Sequence, residues 1–184
     1  MDSLPSPPHL RTFIAYVEDQ PGVLNRIASL FRRRNYNIIS LNVGRTHEAG
    51  VSRMTVVVEA DDDMARRIEA NLYKLVNVLS VEDITRTQSI TRDLALIKVQ
   101  TGTEKRSEVL QLCDLFRARA VDVQADSLIV EITGTQGKID GFVAMLQPFG
   151  ILEMVQTGAV SMTRGPKGSA VETAQRPPAL HGIA

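Results

Sequence analysis

The chain has 184 residues with 21 basic and 21 acidic side chains, so no global field draws it to nucleic acid or an anionic membrane. That length suits one domain or two small ones with a sizeable core. A single cysteine, Cys113, excludes an internal disulfide framework and fits a reducing cytoplasm; no apolar run approaches the ~20 residues that span a bilayer.

The opening MDSLPSPPHL is proline-rich and has neither a basic start nor an apolar stretch, so residues 1–9 read as a flexible lead-in rather than a signal peptide. RTFIAYV (11–17) alternates and predicts a strand. A helix is expected from Pro21 to Arg34, with Leu24, Ile27, Ala28 and Phe31 as its apolar stripe and Pro21 in its first turn. Arg32, Arg33 and Arg34 fall where cations favour the negative end of that helix. YNIISLNVGRT (36–46) and VSRMTVVVEA (51–60) predict two strands joined by HEAG as a hairpin loop. Asp61, Asp62 and Asp63 mark a second helix start, with Met64, Ile68, Leu72, Leu75 and Val76 as its buried face. VLSVEDIT (78–85) supplies a fourth strand, and the order β-α-β-β-α-β is the ferredoxin-like arrangement.

The same order returns. RDLALIKVQ (92–100) predicts a strand, EKRSEVLQLCDLFRAR (104–119) a helix, AVDVQ and SLIVEITG two strands, KIDGFVAMLQPF a helix, and ILEMVQTGAVSM closes the set. LFRRRNYNI (30–38) and LFRARAVDV (115–123) match at an offset of 85 residues, which suggests two copies of one module. The expected division is an α+β chain of two tandem ferredoxin-like modules, 10–85 and 92–162, with a linker at 86–91 and a disordered tail over 163–184.

The junction inside VEDQPGVLNRIASLF (17–31) holds the candidate chemistry. Pro-Gly at a strand-to-helix junction bends the backbone and leaves bare N–H groups at the helix head, which makes either a plain turn or a socket for a negative group. At the offset of 85, Asp19-Gln20-Pro21-Gly22 faces Glu104-Lys105-Arg106-Ser107; the helix is kept there without the Pro-Gly. Elsewhere the chemistry is thin. His9, His47 and His181 share no metal-ligand spacing, Cys113 has no histidine nearby in sequence, and TGTQGK (133–138) lacks phosphate-loop spacing and reads as a strand-to-helix turn. An RNA-recognition module would need stacking aromatics that VSRMTVVVEA lacks, and no paired nucleophile and base is evident.

VEDQPGVLNRIASLFRRRNYNIISLNVGRT, SRMTVVV and LYKLVNVLSVEDIT, in that order, resemble the amino-terminal ACT domain of the regulatory (small) subunits of acetolactate synthase. RDLALIKVQ, VLQLCDLFRARAVDV, VEITGTQGKIDGF and SMTRGPKG continue the resemblance, which covers roughly residues 10 to 168. It implies a non-catalytic protein in branched-chain amino-acid synthesis. Its partner would be a catalytic large subunit that binds thiamine diphosphate, Mg2+ and FAD, with no cofactor on this chain. It also implies activation of that partner, feedback by valine or another branched-chain amino acid, and a homodimer formed through ACT domains with effector sites between them. A free-standing ACT-type sensor acting on another enzyme is the alternative.

On that resemblance the effector site comprises Asp19, Gln20, Pro21, Gly22, Val23 and Leu24, together with Asn37 and Ile38. The effector carboxylate suits the helix N-terminus, with Gly22 allowing close approach and Val23 and Leu24 supplying N–H groups. Asp19 stands where the family often carries asparagine and would meet the ammonium. Asn37 corresponds to a family asparagine that reaches the effector, and its amide both donates and accepts.

Overall fold

The computed structural model describes residues 8–165, so residues 1–7 of the expected 1–9 lead-in and most of the expected tail lie outside the described residues, while His9, expected in the lead-in, already belongs to the first strand. The described chain divides into two compact units, residues 8–89 with 163–165 and residues 90–162.

The first unit runs β1 (His9–Glu18), α1 (Val23–Arg33), β2 (Ile38–Arg45), β3 (Val51–Ala60), α2 (Asp62–Leu72) and β4 (Val78–Asp83). Its sheet has the order β2-β3-β1-β4, with every neighbouring pair antiparallel. Alternation along β1 and β3 sends Phe13, Ala15, Val17, Met54, Val56 and Val58 into one core with the two helices. The α1 stripe differs from the expectation. Val23, Ile27, Leu30 and Phe31 are buried, whereas Leu24 is 47% exposed and Ala28 also faces out. The helix is rotated so that the i, i+4, i+7, i+8 row beginning at Val23 meets the sheet. On α2, Ala65, Ile68 and Leu72 are buried and Met64 packs at the margin, as does Leu75 just past the helix end. Val76, expected on that face, lies past the helix end and is 75% exposed.

Helix termini follow from local chemistry. Asp61 caps α2, its side chain accepting from the Met64 N–H at 2.7 Å. α1 closes on Asn35 in the left-handed region (φ 56°), with Tyr36 N–H donating to the Phe31 carbonyl and Asn35 N–H to that of Arg32. This is a Schellman closure, and the Phe31 and Tyr36 rings supply its apolar contact, edge to face at 5.9 Å. Near the start of β1, buried Arg11 pairs with Asp62 and Asp83, tying that strand to the head of α2 and the end of β4.

The second unit runs β5 (Ser89–Gln100), α3 (Arg106–Phe116), β6 (Arg119–Val123), β7 (Ser127–Gly134), α4 (Gln136–Leu146), a 3-10 turn (Gln147–Phe149), β8 (Ile151–Gln156) and β9 (Val160–Thr163). The order β6-β7-β5-β8 repeats that of the first sheet, and β9 adds a pairing with β5. The segment expected as one closing strand is therefore two, and part of the expected linker, from Ser89 on, is strand. Ile97, Val99, Leu128, Val130, Ile139 and Phe142 belong to the core. Cys113 is buried among them; burial, and then the Asp114 carboxylate, push its thiol pKa up. The fold is α+β, two tandem ferredoxin-like modules.

The repeat is real, but its register differs from the sequence match. α1 and α3 both have 11 residues and begin at Val23 and Arg106, an offset of 83. The Schellman closure recurs at the end of α3, where Arg117 takes the left-handed conformation and Ala118 N–H donates to the Cys113 carbonyl at 2.8 Å. The Leu-Phe-Arg identity, at an offset of 85, thus pairs residues two positions out of step with the helices and three out of step with their left-handed closures, Asn35 and Arg117. Gly22 is the N-cap of α1, and its counterpart is Lys105, the N-cap of α3, with backbone at φ −93°. The Pro-Gly is still absent from the second copy.

Candidate functional site

The head of α1 is built by a tight turn. Gly22 has φ 85° and ψ −9°, and the Val23 N–H donates to the Gln20 carbonyl at 3.4 Å. With Pro21 at the first corner and Gly22 at the second, this is a type II turn, which needs positive φ at the glycine. Pro21 therefore precedes the helix instead of opening it, and the Val23 N–H closes the turn. The first helical bond runs from Arg26 N–H to the Gly22 carbonyl at 3.0 Å. No side chain caps the helix, and no acceptor among the described residues takes the N–H groups of Gly22, Leu24 and Asn25. Open N–H groups at a helix head favour an anion.

The loop before that head is fixed from two sides. Asp19 N–H donates to the Gly50 carbonyl at 2.8 Å, and Glu18 N–H to that of Asn77 at 2.9 Å. The Asn77 side chain donates to the Glu18 carboxylate at 2.6 Å and accepts from Arg26 at 2.8 Å, fastening strand, helix and the lead into β4 together. The Asp19 carboxylate meets the Arg45 guanidinium at 3.4 Å. Asp19, assigned on the resemblance to an effector ammonium, thus has a cationic neighbour supplied by the end of β2.

The candidate residues fall into two groups. Asp19, Gln20, Pro21, Gly22, Val23 and Leu24 gather at one corner, where Val23 is buried core and the other five are exposed. Asn37 and Ile38 stand at the opposite end of the sheet. Ile38 pairs with Val58, which pairs with Arg11 near the start of β1; Arg45 pairs with Ser52, which pairs with Val17 near its end. Seven strand residues at ~3.3 Å each separate the two corners by roughly 20 Å. One chain does not bring Asn37 to Gly22.

Sequence reasoning missed Arg26, Arg45 and Asn77. Asn77 had a signal, a lone amide inside the apolar run LVNVLSV (75–81), where a polar group needs a partner. Arg45 had none, because its partner lies across a hairpin loop. Among the described residues no group of three His, Cys, Asp or Glu side chains is placed to hold a metal ion, and no helix is long and apolar enough to cross a membrane.

Both halves of the chain match known families. Residues 13–80 match the AHAS small subunit-like ACT domain, and residues 92–165 match the small subunit of acetolactate synthase. An acetolactate synthase small subunit of Mycobacterium bovis is 47% identical over 161 residues, covering 88% of this chain and 96% of that protein. A probable acetolactate synthase small subunit of Archaeoglobus fulgidus is 46% identical over 156 residues, covering 85% and 98%. The crystal structure of the acetolactate synthase small subunit from Thermotoga maritima superposes with a TM-score of 0.80 at 35% identity, over 85% of this chain and 98% of that one. On matches that run through both modules, the chain belongs to the acetolactate synthase small-subunit family.

Proposed function

We propose that this chain is a non-catalytic regulatory subunit that activates the catalytic large subunit of acetolactate synthase and makes it responsive to valine or another branched-chain amino acid. The observation that carries the reading is the glycine-headed α1, whose Gly22, Leu24 and Asn25 N–H groups have no acceptor among the described residues, with the Asp19 carboxylate beside them. An α-amino acid presents the complement, an acid group for the N–H donors and an ammonium for Asp19. Each charge-assisted hydrogen bond contributes ~1.5–3 kcal/mol.

The placement of Asn37 adds a second copy to the reading. β2 is an edge strand with Ile39 and Val43 exposed, the kind of edge another chain can cover. Antiparallel pairing centred on the middle of β2 carries Asn37 and Ile38 of a second copy to the corner holding Arg45, Asp19 and Gly22. A site shared in this way responds to how the copies dock. An effector preferring one docking state by ~1–3 kcal/mol shifts the assembly enough to regulate a bound enzyme. Valine and leucine differ by one methylene, worth ~1–3 kcal/mol, so selectivity between them is incomplete. Thiamine diphosphate, Mg2+ and FAD belong to the large subunit in this reading.

The test is reconstitution with a purified large subunit, following acetolactate formation with and without valine. A raised rate that valine lowers is expected. An unchanged rate on adding this chain refutes the partnership, and a raised rate indifferent to every branched-chain amino acid refutes the effector.

A further inference from the structure

We infer that Arg45 is the cationic arm of the effector socket and exchanges partners when the ligand arrives, releasing Asp19 to the ammonium and taking the ligand's carboxylate. This rests on the reading of the α1 head as an amino-acid site and gives Arg45 a role which that reading does not contain.

Arg45 is the last residue of β2, and its Nε lies 3.4 Å from the Asp19 Oδ2. The backbones carrying the two charges are fixed. Asp19 N–H is held by the Gly50 carbonyl at 2.8 Å, and Thr46, next to Arg45, donates its N–H to Val51 at 3.1 Å. The side chains are not fixed. Arg45 is 87% exposed and Asp19 42% exposed, and their closest approach, Nε to Oδ2, is an ion contact at 3.4 Å. An exposed ion contact of this kind is weak and easily exchanged. A guanidinium carries five N–H donors in a planar fork, which suits it to a carboxylate.

An incoming α-amino acid offers an ammonium that competes with Arg45 for Asp19. Once displaced, the guanidinium is tethered beside the same helix head whose Gly22 and Leu24 N–H groups lack acceptors, and the ligand's carboxylate is the only new anion there. The bound state is then an alternating row of Asp19, ammonium, carboxylate and Arg45, with no charge left unanswered. A ligand with the same carbon skeleton and carboxylate but no ammonium, a 2-oxo acid, cannot complete the exchange. If Arg45 stays on Asp19, the 2-oxo acid loses its cation; if Arg45 leaves, Asp19 faces the ligand's carboxylate unpaired. The Asp19–Arg45 pair thus selects amino acids against their nitrogen-free counterparts. The opposite possibility is that Arg45 only competes with the ligand for Asp19, in which case its removal tightens binding.

Calorimetry on the full chain at low ionic strength and neutral pH separates these cases, with valine and 3-methyl-2-oxobutanoate as probes and Arg45→Gln and Arg45→Lys as variants. Valine is expected to bind Arg45→Gln about 10-fold more weakly than the unaltered chain and Arg45→Lys within about 3-fold, since a lysine keeps the charge but not the fork. The 2-oxo acid is expected to bind the unaltered chain at least about 10-fold more weakly than valine. Melting temperatures should match in all three proteins, so the loss is one of ligand contact. Equal or tighter valine binding by Arg45→Gln overturns the role of Arg45 and leaves the effector reading standing. Absence of binding of valine, leucine and isoleucine alike by the unaltered chain overturns the effector reading and this inference with it.

Discussion

The Asn77 side-chain amide donates to the Glu18 carboxylate at 2.6 Å, so the last residue of β1 is held by the residue that precedes β4. The Asn77 carbonyl oxygen accepts from Arg26 on α1 at 2.8 Å, and its backbone carbonyl accepts the Glu18 N–H at 2.9 Å. One buried amide thereby positions the strand end, the helix and the turn between them. Asn77→Ala removes both side-chain bonds and strands a partly buried carboxylate. The expected cost is about 1–3 kcal/mol, read as a melting temperature lower by about 2–8 °C. Weaker valine binding should accompany it, because the loop before the α1 head loses its fastening. An unaltered melting temperature would show that the bridge does not form in solution.

Gly22 separates backbone shape from ligand access. A Cβ built at Gly22 meets nothing within 4 Å, so Gly22→Ala is penalised only through its positive φ, by about 1–2 kcal/mol of stability. Gly22→Asp carries the same backbone penalty and adds a carboxylate where the effector's acid group is placed. Valine binding should survive in Gly22→Ala, weakened, and be lost in Gly22→Asp, with the two variants melting at similar temperatures. Equal loss in both would make the turn geometry, rather than the anion socket, the sensitive element.

A pH-dependent effect is expected on α2. Burial, and then the nearby Asp83 carboxylate, raise the Glu69 pKa above 4.5. The folded chain therefore holds this proton more tightly than the unfolded one, and the penalty of an ionised Glu69 grows as pH rises from about 4.5 through the folded value. Glu69→Gln should melt slightly above the unaltered chain at pH 7, on the order of 1 °C because the site is partly solvated, with the gap closing toward pH 4. A gap that widens as pH falls would reverse the sign and contradict the assignment.

Much of the fold was legible because it rests on local periodicities. Alternation in RTFIAYV and VSRMTVVVEA marks strands with one buried face, and Asp61 marks a helix start by the hydrogen bond it makes. The α1 stripe was misplaced by one position because Val23 and Leu24 are equally apolar; only packing against the sheet decides which turns inward. The repeat register was misread because a three-residue identity, Leu-Phe-Arg, outweighed the helix ends, which are set by the left-handed residues Asn35 and Arg117. At the site, the α1 head is a contiguous segment and was readable as one. The Asp19–Arg45 pair depends on β3 lying between β2 and β1 and aligning their ends through Ser52, and sequence spacing carries no trace of that contact.

The shared site is tested most directly by mixing two defective chains. Gly22→Asp spoils the helix head and leaves Asn37 intact, whereas Asn37→Ala does the reverse. Each variant alone should bind valine poorly. Co-refolded in equal amounts, half of the dimers contain one of each chain, and every such dimer has one intact site built from the good head of one copy and the good Asn37 of the other. Calorimetry should then recover about one quarter of the unaltered protein's binding capacity at near-normal affinity. Failure to recover any high-affinity binding in mixtures shown to contain mixed dimers would contradict a site divided between two copies.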